Sequence, residues 1–248
     1  YVKIIFRSNF CYASCYNFFM EDLNENLNKV VGLCENSYTT DEIISILKNG
    51  SVMEKQVAVL GLEELRSKED AEALMENLTG IDGKVRQAVA FKILQLIPKY
   101  KDLFLNENFY EIFANSIIDI DSNVCRLDLE AILYLNDNKE FSKFIANKMK
   151  DITFTALEEL SKISFKAKKY TSNKQYFKIY WCLETLSNFY ENLNFEDLKK
   201  ILTQCSKLPE YTIREKCALI LKNNFDDEDL IKIKNELLND ENYYVRNV

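Results

Sequence analysis

The sequence predicts an all-α protein, an α-α superhelix (solenoid) of about five to six stacked helix pairs. Three observations carry this expectation. Helix-breaking residues are scarce, a short Val-Arg motif recurs at similar intervals, and apolar residues fall three and four apart on both members of each expected pair.

The breakers come first. The 248 residues hold Gly 5 and Pro 2, where average usage of about 7% and 5% would give roughly 17 and 12. Strand-rich folds need turn residues, and parallel α/β folds need glycine between strand and helix. Hydrophobic residues at 47% and charged residues at 29% exclude a disordered chain. Helices joined by short polar turns remain.

The motif starts at Met53, with Val57-Ala58-Val59-Leu60 following. Val85-Arg86 leads into Val89-Ala90-Phe91, Val124-Cys125-Arg126 into Leu129 and Ala131, and Ile213-Arg214 into Cys217-Ala218-Leu219. Val245-Arg246 begins it again. The starts lie 32, 39, 89 and 32 residues apart, and the long interval has room for two units. Tyr176, Ile179, Tyr180, Leu183 and Leu186 supply a helical stripe within it. Asp82, Asp121 and Asp240 stand ahead of first helices, where a carboxylate accepts the free amide hydrogens of a first turn. Second helices follow with their own stripes: Leu74, Met75 and Leu78; Phe109, Phe113 and Ile117; Leu198, Ile201, Leu202 and Cys205; Leu230, Ile233 and Leu237. Neither member of a pair buries its apolar face alone, so neighbouring pairs must stack. Ala58, Ala90 and Ala218 are expected where helices approach closely. Lys139 to Ala167 keeps one stripe without Gly or Pro, which reads as one long helix or two.

Val-Arg followed by a leucine-rich helix, a polar turn and a second helix resembles HEAT repeats, of the short type seen in phycobilisome-lyase-like proteins. The match is fullest over residues 53–94 and extends more weakly over about 40–248. Met53-Glu54 stands where Val-Arg belongs, and Cys125 intrudes before Arg126. The resemblance implies an armadillo-like helical scaffold for protein binding, with Asp capping helices and Arg86, Arg126, Arg214 and Arg246 bridging adjacent units. It also admits a HEAT-like DNA glycosylase, or a bilin lyase or chaperone-like HEAT protein.

The chemistry of the chain points away from catalysis. With His 0, histidine acid–base catalysis, His-activated nucleophiles and the commonest zinc ligand are excluded. No Gly-rich phosphate loop or metal-ligand spacing occurs, so no cofactor and no metal is expected. Glu63-Glu64 and Glu158-Glu159 point about 100° apart on a helix and make poor acid/base dyads. The acidic run Asp226 to Asp229 reads as a helix start. Seven cysteines at irregular spacing form no disulfide framework and suit a reducing, cytoplasmic compartment; Cys125, Cys182, Cys205 and Cys217 read as core residues, as does Trp181. A net charge of −7 disfavours nucleic acid as a general partner. Lys162, Lys166, Lys168, Lys169, Lys174 and Lys178, with Tyr170 and Tyr176, form the one basic and aromatic patch. No apolar run suits a membrane span.

Residues 1–19 are expected to lie outside the fold and 20–248 to form the array, cut short at its C-terminal end. The partner is expected to be a protein or peptide. The outward positions of the second helices select Glu72, Glu76, Glu111 and Asn115, then Lys143, Lys200, Gln204 and Lys232. This face would run from acidic to basic along the chain.

Overall fold

The computed structural model describes residues 28, 31–33, 38–162, 169–223 and 225–248, at 169 and 170 the backbone alone. Every regular element among them is helical, and no helix is long and apolar enough to cross a membrane. The chain divides into two compact units, the first ending at Leu96 and the second beginning at Ile97. The readings of residues 1–19 and of Lys166 and Lys168 fall outside the described residues, as do those of Ile163, Ala167 and the side chains of Lys169 and Tyr170.

In the first unit, α1 (Thr40–Asn49) and α2 (Val52–Leu60) each open on a capping box, Thr39 with Glu42 and Ser51 with Glu54. Each box satisfies two otherwise orphaned donors. Ser67 caps α3 (Lys68–Leu78). Asp82 caps α4 (Gly83–Leu96), accepting from the N–H groups of Lys84 at 2.8 Å and Val85 at 3.0 Å. Helix α1 packs on α2 and α3, and α4 packs on α2 and α3. Leu47, Val59, Leu74, Val89, Ala90 and Ile93 are fully buried among them. The buried Asn77 ties α1 to α3: its amide donates to the Leu47 carbonyl at 3.0 Å and to Ala73 at 2.8 Å, and its oxygen accepts from Lys55 at 3.2 Å. Because Ala90 has no exposed surface, leucine there should overpack the core and cost about 1–3 kcal/mol. An unchanged urea midpoint for Ala90→Leu would contradict this packing.

The second unit opens with the short α5 (Lys101–Phe104) and α6 (Glu107–Ser116), followed by α7 (Ser122–Ile132). Next come the long α8 (Lys139–Lys162) and α9 (Lys169–Phe189), then α10 (Phe195–Cys205), α11 (Tyr211–Leu221), α12 (Glu228–Leu238) and the terminal α13 (Tyr243–Arg246). The stripe from Lys139 is one continuous helix as far as Lys162. The buried Thr153 stays within it by donating to the Met149 carbonyl one turn back at 2.7 Å. Two rows emerge from the packing. Helix α8 lies against α6 and α10, and α10 against α12; α11 lies against α9 and α13. Between the rows α6 meets α7, α8 meets α9, and α11 meets α10 and α12. Edge-on aromatic contacts (Tyr110 to Phe141 at 5.1 Å, Phe113 to Phe141 at 6.0 Å) fill the space between α6 and α8.

Cys125, Cys182, Cys205 and Cys217 are free thiols in this core, and burial drives the Cys182 thiol up to about 12. Trp181 is buried as expected. Ala218 is only half-buried, a correction to the expected register. Helix α11 turns Ile213, Arg214, Cys217, Ile220 and Leu221 inward, which places residue 218 at the margin of that face.

The recurring arginine has a fixed task. Arg214 donates from Nη1 to the carbonyls of Leu208 and Pro209, both at 2.9 Å. Arg86 does the same to Gly80 and Ile81 at 2.9 Å, and Arg246 to Asp240 and Glu241 at 2.7 and 2.8 Å. Each guanidinium thus fastens the turn ahead of its own helix. Arg214 also grips Asp240 through Nε at 2.7 Å and Nη2 at 3.0 Å, linking α11 to the turn before α13. Arg126 does not share this role. It pairs on the surface with Glu130 at 3.1 Å, and Cys125 occupies the arginine's register, its thiol reaching the Asp119 carbonyl at 3.1 Å. Asp121 caps α7 through the Asn123 N–H at 2.9 Å. Ahead of α13 the cap is Asn242, which frees the Asp240 carboxylate for Arg214.

Candidate functional site

The second helices of the second unit, α6, α8, α10 and α12, are joined by cross-helix ion pairs. Lys148 of α8 reaches Glu111 of α6 at 2.6 Å, and Lys150 reaches Asp197 of α10 at 3.5 Å. Lys199 of α10 meets Asp227 at 2.9 Å and Asp229 at 2.7 Å, at the start of α12. The bonds to Asp229 and then Asp227 hold the Lys199 ammonium above the usual lysine range. Lys199, followed by the Leu230 N–H, holds the Asp227 carboxyl below its usual value. Asp227 also caps α12 through the N–H groups of Asp229 and Leu230, so the acidic run Asp226 to Asp229 serves a helix start and a lysine.

These pairs separate the lysines into two kinds. Lys148, Lys150 and Lys199 are held between helices, whereas Lys143, Lys200, Lys207 and Lys232 are exposed and have no carboxylate partner among the described residues. Three of the four gather in one place. Lys200 and Lys207 from the α10 side and Lys232 from α12 border a groove of about 410 Å³. Gln204 and Thr203 line it from α10, and the buried Ile233 lies at its base. Glu196, Asp229 and Glu236 line it as well. Nothing in the groove forms a nucleophile–base pair, and no group of three metal-ligating side chains occurs among the described residues.

The expected face residues distribute as follows. Lys200, Gln204 and Lys232 are brought together in this groove. Lys143 lines a separate hollow of about 470 Å³ with Phe144 and Lys148 on α8. Glu111 and Asn115 are exposed on α6, with Glu111 engaged by Lys148. Glu72 and Glu76 lie on α3 of the first unit, Glu72 within 3.9 Å of Lys68. In the basic patch, Lys162 is bound to Glu158 at 2.7 Å and Glu159 at 3.3 Å.

Lys207 was not among the expected residues. The i, i+4, i+7 spacing of Lys200, Gln204 and Lys207 puts them on one helical face, but Lys207 lies beyond the end of α10 and reads as part of a turn. The holding role of Lys199 has no sequence signal, because it depends on the register between two helices. No protein-family model matches the chain, and no curated protein matches it.

Proposed function

We propose that the helix pairs are HEAT-like repeats of an α-solenoid, and that the chain is a scaffold that binds a protein partner on the face formed by its second helices. The observation that supports this most directly is the two-row packing of the second unit, in which the second helices α6, α8, α10 and α12 lie on one another in turn and the first helices α9, α11 and α13 do the same. The arginine clamp supports it as well, recurring 32 residues apart at Arg214 and Arg246 with the same pair of carbonyl acceptors. In such a stack the second-helix side is a continuous surface with side chains at regular heights, suited to a helix or an extended segment. Lysines without internal partners on that surface are available to another molecule.

Reversing Lys143, Lys200 and Lys232 to Glu tests the reading. Each is exposed, and exposed substitutions change stability by under about 0.5 kcal/mol, so the melting midpoint should barely move. A partner captured with the wild-type chain should be bound about tenfold or more weakly by the triple variant, through lost steering and lost ion pairs. Wild-type affinity in the variant would remove the second-helix face as the binding surface.

A further inference from the structure

The groove between α10 and α12 carries a more specific reading, which rests on the scaffold function proposed above. We propose that it receives an acidic segment of the partner protein, with carboxylates met by Lys200, Lys207 and Lys232 and an aliphatic side chain set over Ile233.

The distribution of charge argues for this occupant. The fourth lysine of the groove, Lys199, is already neutralised by Asp227 and Asp229, whereas the other three make no ion pair among the described residues, with Glu196 and Glu236 one helical turn from Lys200 and Lys232 in the same lining. Lys200 and Lys232 occupy the same position of their helices, 32 residues apart. Leu198, Ile201 and Cys205 around the first match Leu230, Ile233 and Leu237 around the second. Both therefore line one groove from neighbouring helices, and Lys207, just past the end of α10, adds a third ammonium to it.

The partner's anions should be separate carboxylates rather than a phosphate backbone. Glu196, Asp229 and Glu236 intersperse the lysines in the lining and repel a continuous polyanion more than acids spaced along a peptide. A chain of net charge −7 lacks the general attraction that nucleic-acid binders use. The lining also contains no arginine, the side chain suited to bidentate capture of phosphate. At the base, Ile233 and the methylene stems of the lysines give an apolar strip, because lysine buries its stem while its ammonium stays in water. Acidic residues interspersed with leucine or isoleucine match both layers.

The test uses the full chain and two labelled peptides, one of glutamate interspersed with leucine and one with lysine in place of each glutamate. Binding is followed by fluorescence anisotropy at low and high salt. The acidic peptide should bind the wild type, should weaken with salt as exposed ion pairs do, and should lose about tenfold in affinity on Lys200→Glu with Lys232→Glu. Lys84→Glu, an exposed change on α4 of the first unit, should leave it unaltered. Circular dichroism melts establish that the variants fold, and the milder Lys200→Gln with Lys232→Gln should give an intermediate loss. Equal binding by wild type and double reversal, or no binding of the acidic peptide, overturns the inference. Tighter binding of the lysine peptide that improves in the double reversal also overturns it, yet leaves the scaffold reading standing. The scaffold reading falls separately, if captured partners ignore the triple reversal of Lys143, Lys200 and Lys232.

Discussion

Replacing Arg214 with methionine is expected to destabilise the protein by about 3–5 kcal/mol, the range for removing one partner of a buried ion pair. The side chains of Arg214 and Asp240 are each only 10% exposed. The substitution would leave the Asp240 carboxylate without its two guanidinium donors and the Leu208 and Pro209 carbonyls without theirs. Methionine keeps the length and apolar stem, so the loss measures the head group. Lysine should recover only part of it, because one ammonium cannot reproduce a planar fork that meets four oxygens. The variant should also differ in acid. Arg214 holds the Asp240 carboxyl below its usual range, so that part of native stability is fully present above the unfolded carboxyl value of about 3.9 and is lost as pH falls through the lower native one. Urea midpoints measured from neutral pH downward should show this acid limb in the wild type and a shallower one in Arg214→Met. A loss under about 1 kcal/mol at neutral pH would mean that the clamp does not hold α11 to the turn before α13.

Asp128→Asn is expected to act in the opposite direction. Asp128 is fully buried in α7, and burial pushes its carboxyl well above the carboxylate range. One oxygen lies 2.6 Å from the Ser116 hydroxyl, which also contacts the Phe113 carbonyl at 2.9 Å; the other has no partner among the described residues. With a proton on Asp128, the acid donates to Ser116 Oγ and the serine hydrogen passes to Phe113, so each contact has its own hydrogen. The unfolded acid ionises near pH 3.9. Because the native carboxyl is raised, its stability contribution is whole below that value and falls as pH rises, by about 1.4 kcal/mol per unit until the native group itself ionises. Asparagine is similar in shape, can donate to Ser116, and has no charge to desolvate. The variant should match the wild type near pH 4 and exceed it by up to about 4 kcal/mol at neutral pH, three units at that slope. Parallel denaturation curves from pH 4 to 8 decide it; equal slopes in the two proteins would place a water-solvated, ionised group at this position.

The helices were legible from periodicity because each buries one stripe, and Asp82 and Asp121 marked the starts of α4 and α7, whereas the caps Ser51 and Ser67 were not singled out. The register of the third first helix was not. Arg126 matches the motif by letter, but what the fold needs there is a donor aimed at the carbonyl six residues back, and the Cys125 thiol supplies it. Ala218 illustrates a related limit: helical spacing gives the existence of a buried face, but the placing of its margin depends on neighbouring helices. In the candidate site, Lys200, Gln204 and Lys232 could be chosen from one helix at a time. The engagement of Glu111 by Lys148, and of Lys199 by two aspartates, joins residues 37 and about 30 apart, and no single-helix pattern contains that alignment.

Cysteine in an arginine's position has a mechanical consequence. Arg214 has two arms, one fastening its own turn and one hooked to Asp240. The Cys125 thiol has one short arm, which ends at Asp119 and cannot extend beyond its own turn. Load applied along the second unit is therefore carried unequally, firmly at the join from α11 to α13 and weakly at α7. Local opening follows the local free energy, and at α7 this clamp adds nothing to the hold on the next helix, which among the described residues rests there on packing alone.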